Sequence, residues 1–132
     1  MTAAVIRALL VADGTLTAAV PSARIVAGLL PQGVALPALG IEEISSVPQP
    51  TIDAQAYALM RTRVQVTVSA ASYPQQKAVA ALARAACEYR RGAIAGQQVA
   101  SIVLESTGPD LRDGDAQIFQ QPLDFIVIHQ PQ

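Results

Sequence analysis

The chain has 132 residues, a formal net charge of −1, 52% hydrophobic and 14% charged residues, one cysteine and no tryptophan. That length fits one domain with a radius of gyration of roughly 14 Å and is too short for two ordinary ones. The low charge content excludes disorder over the whole chain, the near-neutral balance excludes a general pull toward nucleic acid or acidic membranes, and a lone Cys87 excludes an intramolecular disulfide, so that a cytoplasmic origin is the simplest reading.

Residues 2–12 read as a helix, because Val5, Ile6, Leu9 and Leu10 recur at helical spacing and Gly14 follows as a terminator. Arg7 interrupts this apolar run and Asp13 stops it, which makes it a poor signal peptide and too short to span a bilayer. Thr15 is placed to cap a short turn through Val20, which Pro21 ends. Residues 24–29 read as a short strand, Leu30-Pro-Gln-Gly33 as a turn, and residues 37–45 as a strand carrying Leu39, Ile41 and Ile44. Residues 46–57 read as a loop, since Pro48 and Pro50 oppose regular structure, and its length points to a function.

Residues 59–70 are the clearest strand: Thr62, Val64, Val66 and Val68 alternate with Arg61, Arg63, Gln65, Thr67 and Ser69. Residues 72–91 are the clearest helix. Ser72 and Gln75 match a capping box, Pro74 sits in the first turn, and Val79, Leu82, Ala86 and Tyr89 form an apolar stripe that Gly92 ends. Residues 98–106 read as a strand with Val99, Ile102 and Leu104 apolar, followed by a polar turn over 107–117 with Asp113-Gly114 at its centre. The last strand, 118–129, carries Leu123, Phe125 and Val127 on one face and Ile126 and Ile128 on the other. A strand apolar on both faces is either central and covered or sits at a subunit contact. The expected class is α+β, a mostly antiparallel sheet of four to five strands with an N-terminal helix and one long helix packed on one face. Much of the apolar content is alanine, which buries little area per residue, so a thin core completed by neighbouring subunits is expected.

Chemistry is sparse. His129, the sole histidine, lies three residues from the end of the sequence, where fraying is expected, and reads as a strand-end polar residue rather than a general base. Cys87 has no base beside it in sequence and reads as a half-buried structural thiol; one cysteine and one histidine cannot build a zinc site. Asp110, Asp113 and Asp115 evoke calcium, but a loop starting at Asp110 puts Arg112 at its third position and Gln121 at its twelfth, where oxygen ligands and a bidentate carboxylate are needed. A solvated hairpin turn with at most a weak surface cation is the reading. No phosphate loop, dinucleotide fingerprint or nucleophile elbow is present. No catalytic residue, metal or cofactor is expected, and the chain is not read as an enzyme.

Three stretches follow the N-terminal helix in a telling order: Arg24-Ile25 with Leu30-Pro-Gln-Gly33 and Leu36-Pro37-Ala38; Arg61-Thr-Arg-Val-Gln-Val66 running into a capped helix; and Pro122-Leu-Asp-Phe-Ile-Val127 after a polar hairpin. In order and spacing they resemble the tail-completion (tail-terminator) family of long-tailed, siphovirus-type bacteriophages, also met in prophages and gene transfer agents. The likeness covers nearly the whole chain, and its motifs are structural. It implies a virion protein, assembled in the host cytoplasm, that forms a six-fold ring on the head-proximal end of the tail, stops tube polymerisation and docks the head. The implied partners are further copies of the chain, the major tail-tube protein and the head–tail connector or neck protein, with DNA passing through the lumen unread and no membrane involved.

Beside that resemblance, Arg61, Arg63, Phe125, Ile126 and Ile128 are the candidate subunit or partner interface, with the two arginines meeting Glu42, Glu43 or Asp124 of a neighbour. The loop, with Val47, Gln49, Thr51, Asp53 and Tyr57, is the candidate contact segment, reaching the tube or lining the channel and ordering on binding. Competing readings are a head-closure or tail-tube subunit of the same virion region, a small-molecule-binding regulatory domain, and, least favoured, an enzyme with a carboxylate pair assembled by folding.

Overall fold

The computed structural model describes residues 2–28, 35–49, 59–113 and 118–130. The N-terminal periodicity becomes helix α1 (Thr2–Ala12), which buries Val5, Ile6 and Leu10. Asp13 ends it and starts α2 (Gly14–Ala19), its Oδ1 accepting the Leu16 N–H at 2.9 Å. Gly14 therefore opens a second helix instead of terminating the first, and the cap is Asp13, not Thr15: a carboxylate reaches the free N–H groups better than a hydroxyl inside the turn. Pro21 leads into a 3-10 turn (Ser22–Arg24) and then β1 (Ile25–Ala27).

Six further strands follow: β2 (Ala38–Pro48), β3 (Met60–Ala70), β4 (Gly92–Ile94), β5 (Gln97–Thr107), β6 (Leu111–Asp113) and β7 (Ile118–His129), with α3 (Tyr73–Cys87) between β3 and β4. The order across the sheet is β1-β2-β3-β7-β5-β4, and β6 pairs with the start of β7. Only β1 runs parallel to its neighbour; the other pairs are antiparallel. Among the described residues the sheet thus has seven strands, not the expected four to five, and curls into a half-barrel. The additions are three-residue strands, too short for alternation to reveal. One of them, β4, is joined to β5 by Ala95-Gly96, both at positive φ (50° and 80°), as a two-residue hairpin turn requires.

The helices cover one face. Helix α1 lies against β1, β2, β3 and β4, and α3 against β3, β5 and β7. Beneath them, Val64, Val66 and Val68 of β3 pair across with Phe125, Leu123 and Gln121 of β7, and the apolar members of that set are buried. Ser72 caps α3, accepting from the Gln75 N–H at 3.3 Å, and Gln75 Oε1 reaches back to the Ala71 N–H. The helix stops at Cys87, not at residue 91: Tyr89 takes a left-handed φ of 66° and donates its N–H to the Ile102 carbonyl on β5. Its buried side is Gln76, Val79, Ala80, Ala83, Ala86 and Cys87, so the stripe is rotated from the expected one; Leu82 is half-buried and Tyr89 is exposed. Alanines on that side let the helix lie close to the sheet. Phe125 is the one aromatic among the largest fully buried side chains of the described residues, in keeping with a core built mainly from Ile, Leu and Val.

Between β5 and β6 the chain kinks at Gly108. Its N–H donates to the Pro122 carbonyl at 2.8 Å, and a Cβ there would collide with the Pro122 ring.

Candidate functional site

Among the described residues all helices lie on one side, and no helix covers the other face of the sheet. Alternation along β3 and β7 puts Arg61, Arg63, Asp124, Ile126 and Ile128 there, in register rows Arg63↔Ile126 and Arg61↔Ile128. Phe125 does not join them. It points into the core at 0% exposure, because it neighbours Ile126 along the strand and must take the opposite face. Four of the five candidate interface residues therefore share a surface, and Phe125 supports the fold beneath it.

The arginines already have partners within the chain. Glu105 on β5 receives Arg61 Nη2 at 3.1 Å on one oxygen and Arg63 Nη2 at 2.7 Å on the other. Arg63 Nη1 also lies 3.5 Å from Asp124, whose same oxygen accepts the Ser106 hydroxyl at 3.2 Å. Both arginines span β7 to do this, so their stems lie over Ile126, which is only 4% exposed although no helix covers it. The result is a charge-balanced clamp over an apolar floor, flanked by Val103 at 39% exposure. Glu105 was not among the expected residues. It occupies the register shift between Leu104 and Ser106, a bulge that alternation cannot anticipate.

Strand β2 changes character along its length. Ala38–Ile41 are buried, whereas Glu42–Pro48 are exposed, including Ile44 at 49% and Val47 at 54%. Residues 46–48, expected in a loop, are thus strand. Pro48 is tolerated because it is the last residue of a strand whose outer edge there has no strand beside it among the described residues. A register shift between Glu43 and Ser45 leaves Ile44 as the extra residue. Gln49 lies just past the strand, donating its N–H to the Leu59 carbonyl at 2.6 Å. Thr51, Asp53 and Tyr57, like the Leu30–Gly33 turn, fall outside the described residues.

Glu43 is engaged within its own chain. Its Oε1 accepts the N–H groups of Thr2 (2.6 Å) and Ala3 (3.1 Å), placing a carboxylate at the positive end of α1. Beside it His129 is 4% exposed and held on all sides, which corrects the expectation of a frayed end. Its Nδ1 lies 2.7 Å from the Gln130 carbonyl, and its Nε2 lies 2.7 Å from Thr62 Oγ1 and 3.2 Å from Thr2 Oγ1. With the proton on Nδ1, Nε2 accepts from Thr62, which in turn accepts from Ser46 at 2.9 Å. Gln97 of β5 packs against the ring, its Nε2 3.2 Å from Nδ1, but as a donor it makes no hydrogen bond to the protonated Nδ1. The network joins α1, β2, β3, β5 and β7, and contains no second acid or base against the imidazole; its geometry is that of a structural tie.

The remaining reactive groups are quiet. Cys87 is fully buried, and burial pushes its thiol up to about 12, so it is no nucleophile. Asp110 is occupied by Lys77 Nζ (2.7 Å) and Gln121 Nε2 (2.9 Å); that hydrogen bond raises Lys77 above its ordinary value. Asp115 and the Asp113 side chain lie outside the described residues. Glu88 is lowered by its hydrogen bond from Arg84, four residues before it. Among the described residues no group of three His, Cys, Asp or Glu side chains is placed to hold a metal, and no helix is long and apolar enough to cross a membrane.

The sequence matches the model of the family described as tail completion protein gp17 over residues 4–130. No curated protein matches it. Among solved structures it is similar to a chain from the virion of a native gene transfer agent particle, with 17% identity, a TM-score of 0.72, and coverage of 99% of this chain and 95% of that one. At that identity the likeness is one of fold.

Proposed function

Because the chain belongs to the tail completion protein gp17 family, with a structural part in a phage-type tail, we propose that it caps the head-proximal end of the tail tube as a ring. The ring, a hexamer on the tail, stops tube polymerisation and presents the surface on which the head or neck connector docks. Its partners are further copies of itself, the major tail-tube protein and the connector, and DNA passes through its lumen without being read. The chain acts as one domain, as part of the virion.

The observation that carries this reading is the family match across nearly the whole chain. The geometry supports it: among the described residues one sheet face has no helices, and half of β2 is exposed, surfaces suited to partners on more than one side. Arg61, Arg63, Ile126 and Ile128 are the proposed contact group on that face, with Val47 and the segment after it as a second contact.

Electron microscopy of particles from the virus or prophage lacking this gene tests the proposal. Overlong tails, or free tails beside full unjoined heads, are expected, and complementation should restore joined particles. Normal joined particles in the deletion would overturn it.

A further inference from the structure

The sheet does not close, and its two open edges differ. On one side β1 pairs β2 only from Leu39 to Ile41, so from Glu42 to Pro48 no strand among the described residues flanks the outer edge of β2. On the other side, among the described residues, β4 presents an unpaired edge three residues long, and β5 beyond Val99 has no strand on that side, although its Ile102 carbonyl already accepts the Tyr89 N–H. An open edge is a row of unpaired main-chain donors and acceptors, ready to take another strand.

The two edges are also opposite in charge. Glu42 and Glu43 mark the β2 edge, whereas Arg90 and Arg91 lead directly into β4. Neither Glu42 nor Arg91 makes a hydrogen bond or ion pair among the described residues, and Arg90 makes one hydrogen bond, from its Nε to the Ala86 carbonyl. A single row of register partners, Pro48, Met60, His129, Val99 and Gly92, runs from edge to edge, whereas Glu42 and Glu43 lie further along β2, in the rows of Ser106 and Leu104 on β5. Where β1 ends at Gly28, a groove of about 350 Å³ opens beside Ile41, Glu42 and Glu43, with Ala3 as its far wall.

We propose that neighbouring copies of this chain join edge to edge, the exposed half of β2 in one copy adding to the β4–β5 edge of the next. The inference rests on the ring reading above and names its subunit contact. Two unlike edges make the contact heterologous, and heterologous contacts close into rings or run on as helices. The Pro48 end of β2 and the start of β4 share one row, which favours a ring without rise. Pairing β2 with β2 about a two-fold axis is disfavoured, because it gathers four glutamates along one pair of strands. Exposed Ile44 and Val47 gain cover in the heterologous arrangement.

Cross-linking tests this. Val47 and Ala93 are both exposed, and Cys87 is buried and inert, so Val47→Cys with Ala93→Cys reports on the contact alone. A bis-maleimide spanning about 8 Å tolerates a slip of one or two residues in register, at about 3.3 Å per residue. It is applied to assembled tails and to the concentrated purified chain. The double variant is expected to give a ladder of covalent multimers ending at the ring size, and each single variant no ladder. Overturning results are two: no ladder in either sample, or efficient dimers from Val47→Cys alone, which would mean β2-to-β2 pairing. Antibody labelling of the same tails separates the two levels, since absence of the chain from tails refutes the cap and presence without a ladder refutes only the edge contact.

Discussion

Gln76 lies on the sheet side of α3 at 0% exposure, and neither its Nε2 nor its Oε1 finds a partner among the described residues. A buried amide without hydrogen bonds costs about 1–3 kcal/mol. Gln76→Met removes both polar atoms while keeping an unbranched side chain of the same length, so neither a cavity nor overpacking is introduced. The variant should be more stable by about 1–3 kcal/mol. For a domain of this size that is a rise in Tm of roughly 4–12 °C. In urea, with m of about 2 kcal/mol/M, the midpoint should move up by about 0.5–1.5 M at unchanged m. Equilibrium unfolding followed by circular dichroism measures both. A Met variant less stable than the parent by about 1 kcal/mol or more would refute the reasoning, because the amide must then be satisfied in the folded protein.

Phe125→Ala should destabilise by about 3–5 kcal/mol, the cost of emptying a fully buried aromatic site, whereas Ile128→Ala on the uncovered face should cost less than about 1.5 kcal/mol; thermal melts of the two variants check the difference. Gly108→Ala should lower stability by about 1–3 kcal/mol, and adding Pro122→Ala should recover part of the loss if the clash with that ring is the cause. Cys87 should resist a thiol reagent at pH 8 in the native protein and react on unfolding in denaturant. Its folded pKa of about 12 lies above the ordinary 9.0, so the unfolded chain releases this proton first. The thiol's contribution to stability is then complete below pH 9 and declines as pH rises from 9 toward 12, which alkaline melts against a Cys87→Ala control would show.

Local signals carried much of the fold. The Ser72 cap and the alternation through Val64, Val66 and Val68 depend on neighbours in sequence, and both appear in the structure. Strand β7 reads as apolar on both faces because it is central, flanked by β3 on one side and by β5 and β6 on the other. What sequence could not supply depends on distant partners. Asp13 and Thr15 both suit a cap, and only the geometry of the turn selects Asp13. Glu43 reads as one of two surface acids, yet it holds the start of α1 from 40 residues away. His129 reads as a frayed end, but its strand is paired on both sides and locks it. Phe125 belonged with Leu123 and Val127 by parity alone, and its place in the core follows from that parity. Glu105 could not be paired with Arg61 and Arg63 before the order β3-β7-β5 was known, since it lies 44 and 42 positions away.

The central place of β7 also sets when this protein can exist as a folded object. During synthesis β3 and β5 emerge early, but the strand that belongs between them is made after both. A ribosome that has delivered residues 1–113 holds two half-sheets that cannot join. Sheet completion, the clamp over Ile126 and the His129 tie all wait for residues 118–129, and contacts so distant in sequence form slowly. The surfaces proposed to meet other copies are therefore complete only after residues 118–129 have emerged and paired, so that each subunit matures before it can join another.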